Sequence, residues 1–292
     1  CGLSTVPGRR RQRRLSRSMG QNRGTWASRG ETLERQIRRQ LTEDKRQGMA
    51  FNITVTGMVL SAIPIGDYDK RITILTRERG KIAAFVRGAR RSGNQMMAAA
   101  NPFAFGQFEV YQGKSTYTAV RAEIQNYFRE LSQDYDMVCL GSYFLEVAGY
   151  YAQENTGEGE RLKLLYQTLR AMESGRFDRG LIRDVYELKT LAINGEYPNV
   201  FSCLRCGRKE ELDFFNMKLR GCVCRDCAGE PGDEPLDASV LYAMQFIIST
   251  PVEKLYTFVL APQTQQDLTE ILRRYRRRYE PHTFKSEAFL SS

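Results

Sequence analysis

Two pairs of cysteines constrain this chain more than anything else in it: Cys203-Leu-Arg-Cys206 and, seventeen residues further on, Cys224-Arg-Asp-Cys227. Each pair sets two sulfurs on one tight loop, and two such loops brought together complete a tetrahedron around one Zn2+ per chain. Gly207 follows the first pair and Ala228-Gly229 the second. Small residues are needed there because the backbone turns sharply to aim its N–H groups at the thiolates. Two disulfides, or thiols buried as small hydrophobes, are the blander alternative, and the double spacing favours zinc over both. A shell of four thiolates leaves no open position for water or substrate, so the metal is expected to be structural. Cys222 is two residues from Cys224 and could replace it only by spoiling the pair. Cys139 falls in an apolar helical pattern and reads as core.

Seven cysteines, four of them in metal spacing, fit a reducing cytosol better than a disulfide framework. A cytoplasmic location is therefore expected, with no membrane partner, since the longest apolar stretch (residues 138–152) is short and carries Glu146. The net charge of +10 is concentrated at one end. Residues 1–48 hold thirteen Lys/Arg against four Asp/Glu, residues 49–130 hold eleven against six, and residues 131–292 hold twenty against twenty-four. The first segment, rich in Arg, Gly and Ser, reads as a disordered basic leader, possibly non-native, with a nucleic-acid arm as the alternative. Beyond it the chain has a basic front and a mildly acidic back, which suggests two working surfaces.

Residues 51–60, 72–75, 82–86, 103–111 and 117–127 have strand patterning, with turns at Gly66-Asp67-Tyr68-Asp69, Arg77-Glu78-Arg79-Gly80 and Gln112-Gly113-Lys114-Ser115. Gly57 suggests a bulge, residues 87–95 a flexible link, and Asp67 and Asp69 are turn formers. Five short strands in this span read as a small barrel of OB or SH3-like type. Helical spacing follows at 135–153, 160–174, 178–194, about 237–248 and 263–279, and residues 229–235 read as a linker. The fold class is α+β multidomain. An N-terminal OB-fold β-barrel (49–130) precedes an α-helical domain (131–292) with a four-cysteine zinc finger inserted at about 201–230.

No enzyme is expected. The single histidine, His282, lies near the end after Pro281, no nucleophile–base pair is supported, and neither phosphate-loop glycine motif occurs. Binding has better support. Lys70, Arg71, Arg77, Arg79, Lys81, Arg87, Arg90 and Arg91 crowd into a short span with Glu78 as the only acid among them. Tyr68, Phe85, Phe103, Phe105, Tyr111 and Tyr117 are interleaved nearby. Cations on phosphates and aromatics under bases are how single strands are held without sequence preference. Phe85, Phe103 and Phe105 alternate in a way that argues for core. The run from Arg273 to Arg278 reads as a solvated or partner-facing helix end.

From about Met49 to Leu290 the chain resembles the bacterial RecO family. The residues that carry the likeness are Gly57-Met58-Val59-Leu60, Gly66-Asp67-Tyr68-Asp69-Lys70, the Thr76-to-Lys81 hairpin, Ile82 through Arg91, the zinc segment, and Phe284 through Leu290. The resemblance implies an OB-fold, a helical domain with a zinc insertion, and no catalytic turnover. It also implies binding of single- and double-stranded DNA and strand annealing at the nucleoid. The partners it implies are RecR, the single-strand DNA-binding protein and, functionally, RecA, which is loaded on coated strands. An RNA-associated OB/zinc-ribbon factor of translation or transcription is the alternative, and a metal hydrolase a weaker one.

Overall fold

Strand-forming residues dominate the front of the chain because apolar side chains alternate there with period two, so that one face of each strand can be buried. A computed structural model describes residues 52–113 and 116–290. The expected leader, 1–48, lies outside the described residues. The strands are β1 (Asn52–Ile65), β2 (Asp69–Thr76), β3 (Gly80–Val86), β4 (Phe105–Gln112) and β5 (Tyr117–Asn126), with one helical turn, α1 (Met96–Ala99), before β4. They close into a barrel in the order β1-β2-β3-β5-β4, antiparallel except where β3 meets β5. This is the OB-like arrangement. Its interior holds Val55, Val59, Ile72, Ile74, Val86, Phe108 and Val110.

Gly57 has a different role from the one its isolation in a strand suggests. The register slips between Val59 and Ser61 instead, and a Cβ at Gly57 would stand 2.5 Å from the Leu75 carbonyl oxygen. Close approach of β2, not a bulge, is what requires glycine there. Residues 87–94 are also less free than expected. Gly88 N–H donates to Asp69 Oδ1 (2.8 Å) and Arg90 N–H to the Tyr68 carbonyl (2.9 Å), which folds this segment back onto the first turn.

The helices are α2 (Tyr135–Tyr151), α3 (Gly159–Ser174), α4 (Arg179–Asn194), α5 (Ala238–Ser249) and α6 (Pro262–Tyr279). Asp134, Asp178 and Asp237 each accept a first-turn N–H, satisfying donors that have no partner inside the helix. Gly175 and Gly195 end α3 and α4 in the left-handed region. Helix α4 is buried along most of its length, with α3, α5 and α6 against it. Three barrel residues, Met58, Leu60 and Leu75, belong to the helical core. Phe103 and Phe105 pack against that same core, the Phe105 ring 4.5 Å from that of Tyr166.

Between α4 and α5 lies a small sheet in the order β7-β6-β8: β6 (Phe214–Asn216), β7 (Gly221–Val223) and β8 (Asp233–Pro235). The stretch that read as a linker therefore contains a strand. Its Gly and Pro residues suggested a loop, but Asp233 pairs with Asn216 across the sheet.

Candidate functional site

The four predicted cysteines come together, although they arrive on separate loops. Cys203 and Cys206 flank the turn before β6, Cys224 follows β7, and Cys227 closes a short 3-10 turn. Their sulfurs all lie within 4.8 Å of one another, with Cys206 and Cys224 at 3.6 Å. Disulfides are excluded, since a bond needs about 2.05 Å. A tetrahedron with Zn–S of about 2.3 Å has edges of about 3.8 Å, so the cluster fits one such ion. Although burial opposes charge on Cys203, N–H groups of Cys224, Arg205 and Cys206 pull its thiol down to about 6. Hydrogen bonding to Cys206 and Cys224 pushes the Cys227 thiol up to about 12, and burial raises Cys224. Four thiols this close cannot all ionise unaided, and a divalent cation replaces the protons they would otherwise keep. Cys222 lies outside the cluster, buried in the helical core, its thiol pushed up to about 12 by burial.

Arg205, inside the first pair, was not singled out from the sequence, yet it ties the knuckle to the sheet. It donates to the Cys227 carbonyl (2.6 Å) and to both oxygens of Asp233 (2.7 and 3.0 Å). That guanidinium, together with N–H groups from Asn216, Glu230 and Gly229, holds the Asp233 carboxyl far below the usual carboxylate range. The polar spacing C-x-R-C was the available signal.

The eight basic residues of the barrel fall into two groups at opposite ends of the β2–β3 hairpin. The seven residues of β3 span about 20 Å at roughly 3.3 Å each. At one end sit Lys70, Arg71, Arg87, Arg90 and Arg91, beside the exposed Tyr68 ring, over which Arg91 is placed at 4.5 Å. At the other end are Arg77, Arg79 and Lys81. Lys81 Nζ donates to the Gly149 carbonyl (2.6 Å) at the end of α2, and Arg77 pairs with Glu78 (2.8 Å). Lys70 turns toward the barrel floor, donating to the Ala100 carbonyl (3.1 Å) and Asn101 Oδ1 (2.6 Å). Burial and the neighbouring Arg90 lower its pKa. Arg71, Arg87, Arg90 and Arg91 remain exposed.

Phe85 faces out, contrary to the expectation of core. Ile82, Ala84 and Val86 point inward, and Phe85 stands in register with the exposed Arg71. The row continues across the sheet, Phe85 opposite Thr118 and Thr118 opposite Tyr111. Residues in register share a face. The outer surface therefore carries Arg71, Phe85, Thr118 and Tyr111 side by side, with Tyr68 and Arg91 beyond one end of the hairpin.

Residues 49–128 match the family model described as recombination protein O N terminal, and residues 132–288 match the one described as recombination protein O C terminal. The chain belongs to the RecO family. Three similar RecO proteins, each named as a DNA repair protein, illustrate the extent of the likeness. That of Bacillus pumilus is 28% identical over 236 residues, covering 80% of this chain and 92% of the relative. That of Thermoanaerobacter sp. is 27% identical over 237 residues, covering 80% and 95%. That of Clostridium acetobutylicum is 28% identical over 218 residues, covering 74% and 88%.

In the helical part of this RecO-family chain the arginine run of α6 is not simply solvated. Arg276 is almost enclosed and pairs with Glu187 (2.6 Å) and Glu280 (2.6 Å), while Arg274 pairs with Glu234 (2.6 Å). Glu187 also accepts from Arg183 (2.7 Å) and Tyr143 Oη (2.7 Å). Burial alone would raise the Glu187 pKa, but Arg276 and Arg183 outweigh it and keep the carboxyl ionised. One turn away, Asp184 accepts from the Thr269 hydroxyl (2.6 Å), and burial pushes it up to about 7. Arg183, Asp184, Glu187, Arg276 and Glu280 line a cleft of about 870 Å³ whose apolar wall includes Leu140, Phe289 and Leu290. Among the described residues no helix is long and apolar enough to cross a membrane.

Proposed function

We propose that this chain binds DNA on the outer face of its barrel and acts, without catalytic turnover, as a mediator that anneals complementary strands and helps load RecA on strands coated with single-strand DNA-binding protein. The observation that carries the reading is the row Arg71–Phe85–Thr118–Tyr111, continued by Tyr68 and Arg91. The exposed Tyr68 and Tyr111 rings and the half-buried Phe85 ring offer bases a π-face, and the arginines offer phosphates a cation, so binding is tolerant of sequence. Membership of a DNA repair and recombination family supports DNA over RNA as the ligand. It also supports RecR and the single-strand DNA-binding protein as partners, and a place at the nucleoid. Cys203, Cys206, Cys224 and Cys227 would hold one Zn2+, which fixes the knuckle and supplies no chemistry to a substrate.

The test is annealing of complementary DNA strands coated with single-strand DNA-binding protein, followed at several salt concentrations. The chain should accelerate annealing, and the Arg90→Glu, Arg91→Glu double variant should not. Each phosphate contact removed lowers the log–log salt slope by about 0.7 on single strands, so the double variant should lose about 1.4 from it. Unchanged affinity and slope would place the DNA site elsewhere. Preference for RNA, with no annealing of DNA, would favour a translation or transcription factor.

A further inference from the structure

We propose a second site for a nucleic-acid phosphate backbone, built where the β6–β7 turn of the zinc module meets the last turn of α6. The proposal rests on the reading that the barrel binds DNA, and adds a place for another strand. Its centre is Tyr279. The Tyr279 hydroxyl donates to the Met217 carbonyl (2.6 Å), which fastens the turn to the helix end. The Arg220 guanidinium lies 3.9 Å over the ring, and that of Arg278 lies 5.7 Å from it. Lys218, on the same turn, is exposed.

Among the described residues these three cations, like Arg277 beside them, lack the ion pairs that engage most arginines of the helical part. In the helical part Arg161, Arg170, Arg179, Arg183, Arg205 and Arg208, among others, are engaged by carboxylates. Lys218, Arg220 and Arg278 make no ion pair among the described residues. Two acids lie close by. Glu280 is taken up by Arg276 and by the Tyr151 hydroxyl, and Glu196 makes no ion pair with the cluster. Interaction with the carbonyls at a helix end accounts for Arg278 by itself. It does not account for a separate turn that brings two more positive charges to the same ring. Arg220 even holds a positive φ of 64°, a conformation that side chains other than Asn or Gly rarely adopt. Like charges gathered on one ring repel, and an anion relieves that repulsion. A planar guanidinium over an aromatic ring, with a second beside it, suits spaced phosphates, whereas a compact anion would engage only one.

Strands that are to be annealed must be held together despite their mutual repulsion, and one barrel face provides one track. Contacts also run from the barrel to the new site. The Arg79 carbonyl accepts the Asn155 N–H (3.0 Å) beyond α2, and Tyr151 of α2 bonds Glu280, the residue after Tyr279.

The experiment counts strands. Full-length chain titrated with a labelled, self-noncomplementary oligothymidylate should saturate at two strands per chain. The Arg220→Glu, Arg278→Glu variant should saturate at one, with the first strand's affinity unchanged and the second weakened by about tenfold or more. Arg278→Gln alone, on the helix surface, should weaken the second strand without any risk to the hairpin, and Arg220→Lys, which keeps the charge but loses the planar fork, should weaken it less than Arg220→Glu does. Wild-type chain that saturates at one strand, or variants that still take two, overturns the second site and leaves the barrel reading standing. Failure to bind any strand overturns both. A patch that retains a poly-glutamate peptide but no second strand is a protein-docking face, which also overturns the assignment.

Discussion

On the barrel's outer face Arg71, Arg87, Arg90 and Arg91 stand in solvent with no ion pair among the described residues, whereas in the helical part Arg276, Arg183 and Arg161 are enclosed by Glu187, Glu280, Glu287 and Glu158. The residue type is the same and the work is opposite. An arginine whose guanidinium is desolvated between two carboxylates contributes to the interior and has nothing left for a phosphate. One that keeps its water can exchange it for an anion at little cost. The balance of acid and base in a segment therefore says less about binding than the fraction of its cations left unpaired. By that measure the front and the back differ too: among the described residues Arg77 alone of the barrel's cations is ion-paired, whereas about half of those in the helical part are.

The largest effect should come from the knuckle, where the interior extreme of this comparison is covalent in character. Cys224→Ser should lose the metal and unfold the zinc module, since binding of a structural zinc is worth about 10–16 kcal/mol in peptides and appears as folding energy. Cys222→Ser should keep the metal. Elemental analysis alongside thermal melting reads both.

Next comes the buried charge. Glu187→Leu strands Arg276 and Arg183 without their shared partner and should cost about 3–5 kcal/mol in denaturant melts, while Glu187→Leu with Arg276→Met should recover much of it. No such penalty is expected from Arg90→Glu with Arg91→Glu on the barrel. A comparable loss there would mean that the two regions are not different in kind.

A smaller effect distinguishes Asp184 from its neighbour Glu187. Its folded pKa of about 7 lies above the ordinary value of 3.8, so the folded state holds the proton more tightly than the unfolded one. Its stabilising share is therefore complete below about pH 4 and falls away as the pH rises toward 7. Asp184→Asn should flatten that decline, leaving stability at pH 4 unchanged and raising it at pH 8 by up to a few kcal/mol. Denaturant midpoints across pH give the answer.

The smallest effect is that of Phe85, read against a second phenylalanine of the same barrel. Phe85→Ala should weaken single-stranded DNA binding by about 1–3 kcal/mol with little change in stability. Phe108→Ala should cost about 3–5 kcal/mol of stability, because its ring fills the interior. Equal effects on both would remove the stacking role given to the outer row.

Much of this could be read from residue order. Period-two and helical spacing located the five barrel strands and the five long helices to within a few residues, and the paired cysteines were assigned by spacing alone. Three things were not legible, each for a physical reason. Phe85 looked like core because alternation identifies two faces without saying which is inside, and only the register with Arg71 decides it. Residues 229–235 looked like a linker because strand β8 is stabilised by Arg205 and Asn216, which are remote in sequence. The eight cations looked like one patch because closeness along a hairpin is not closeness in space once its two strands run the length of the barrel.

The joint at Gly80 has a mechanical consequence. Gly80 sits at positive φ against the loop after α2, so tightly that a Cβ would stand 2.0 Å from the Gln153 carbonyl oxygen, and Lys81 is pinned to Gly149 beside it. Such a seam transmits torque and has no slack to absorb it. A load on the barrel reaches α2 at a fixed angle, as through a bracket, and the helices keep their orientation to the barrel.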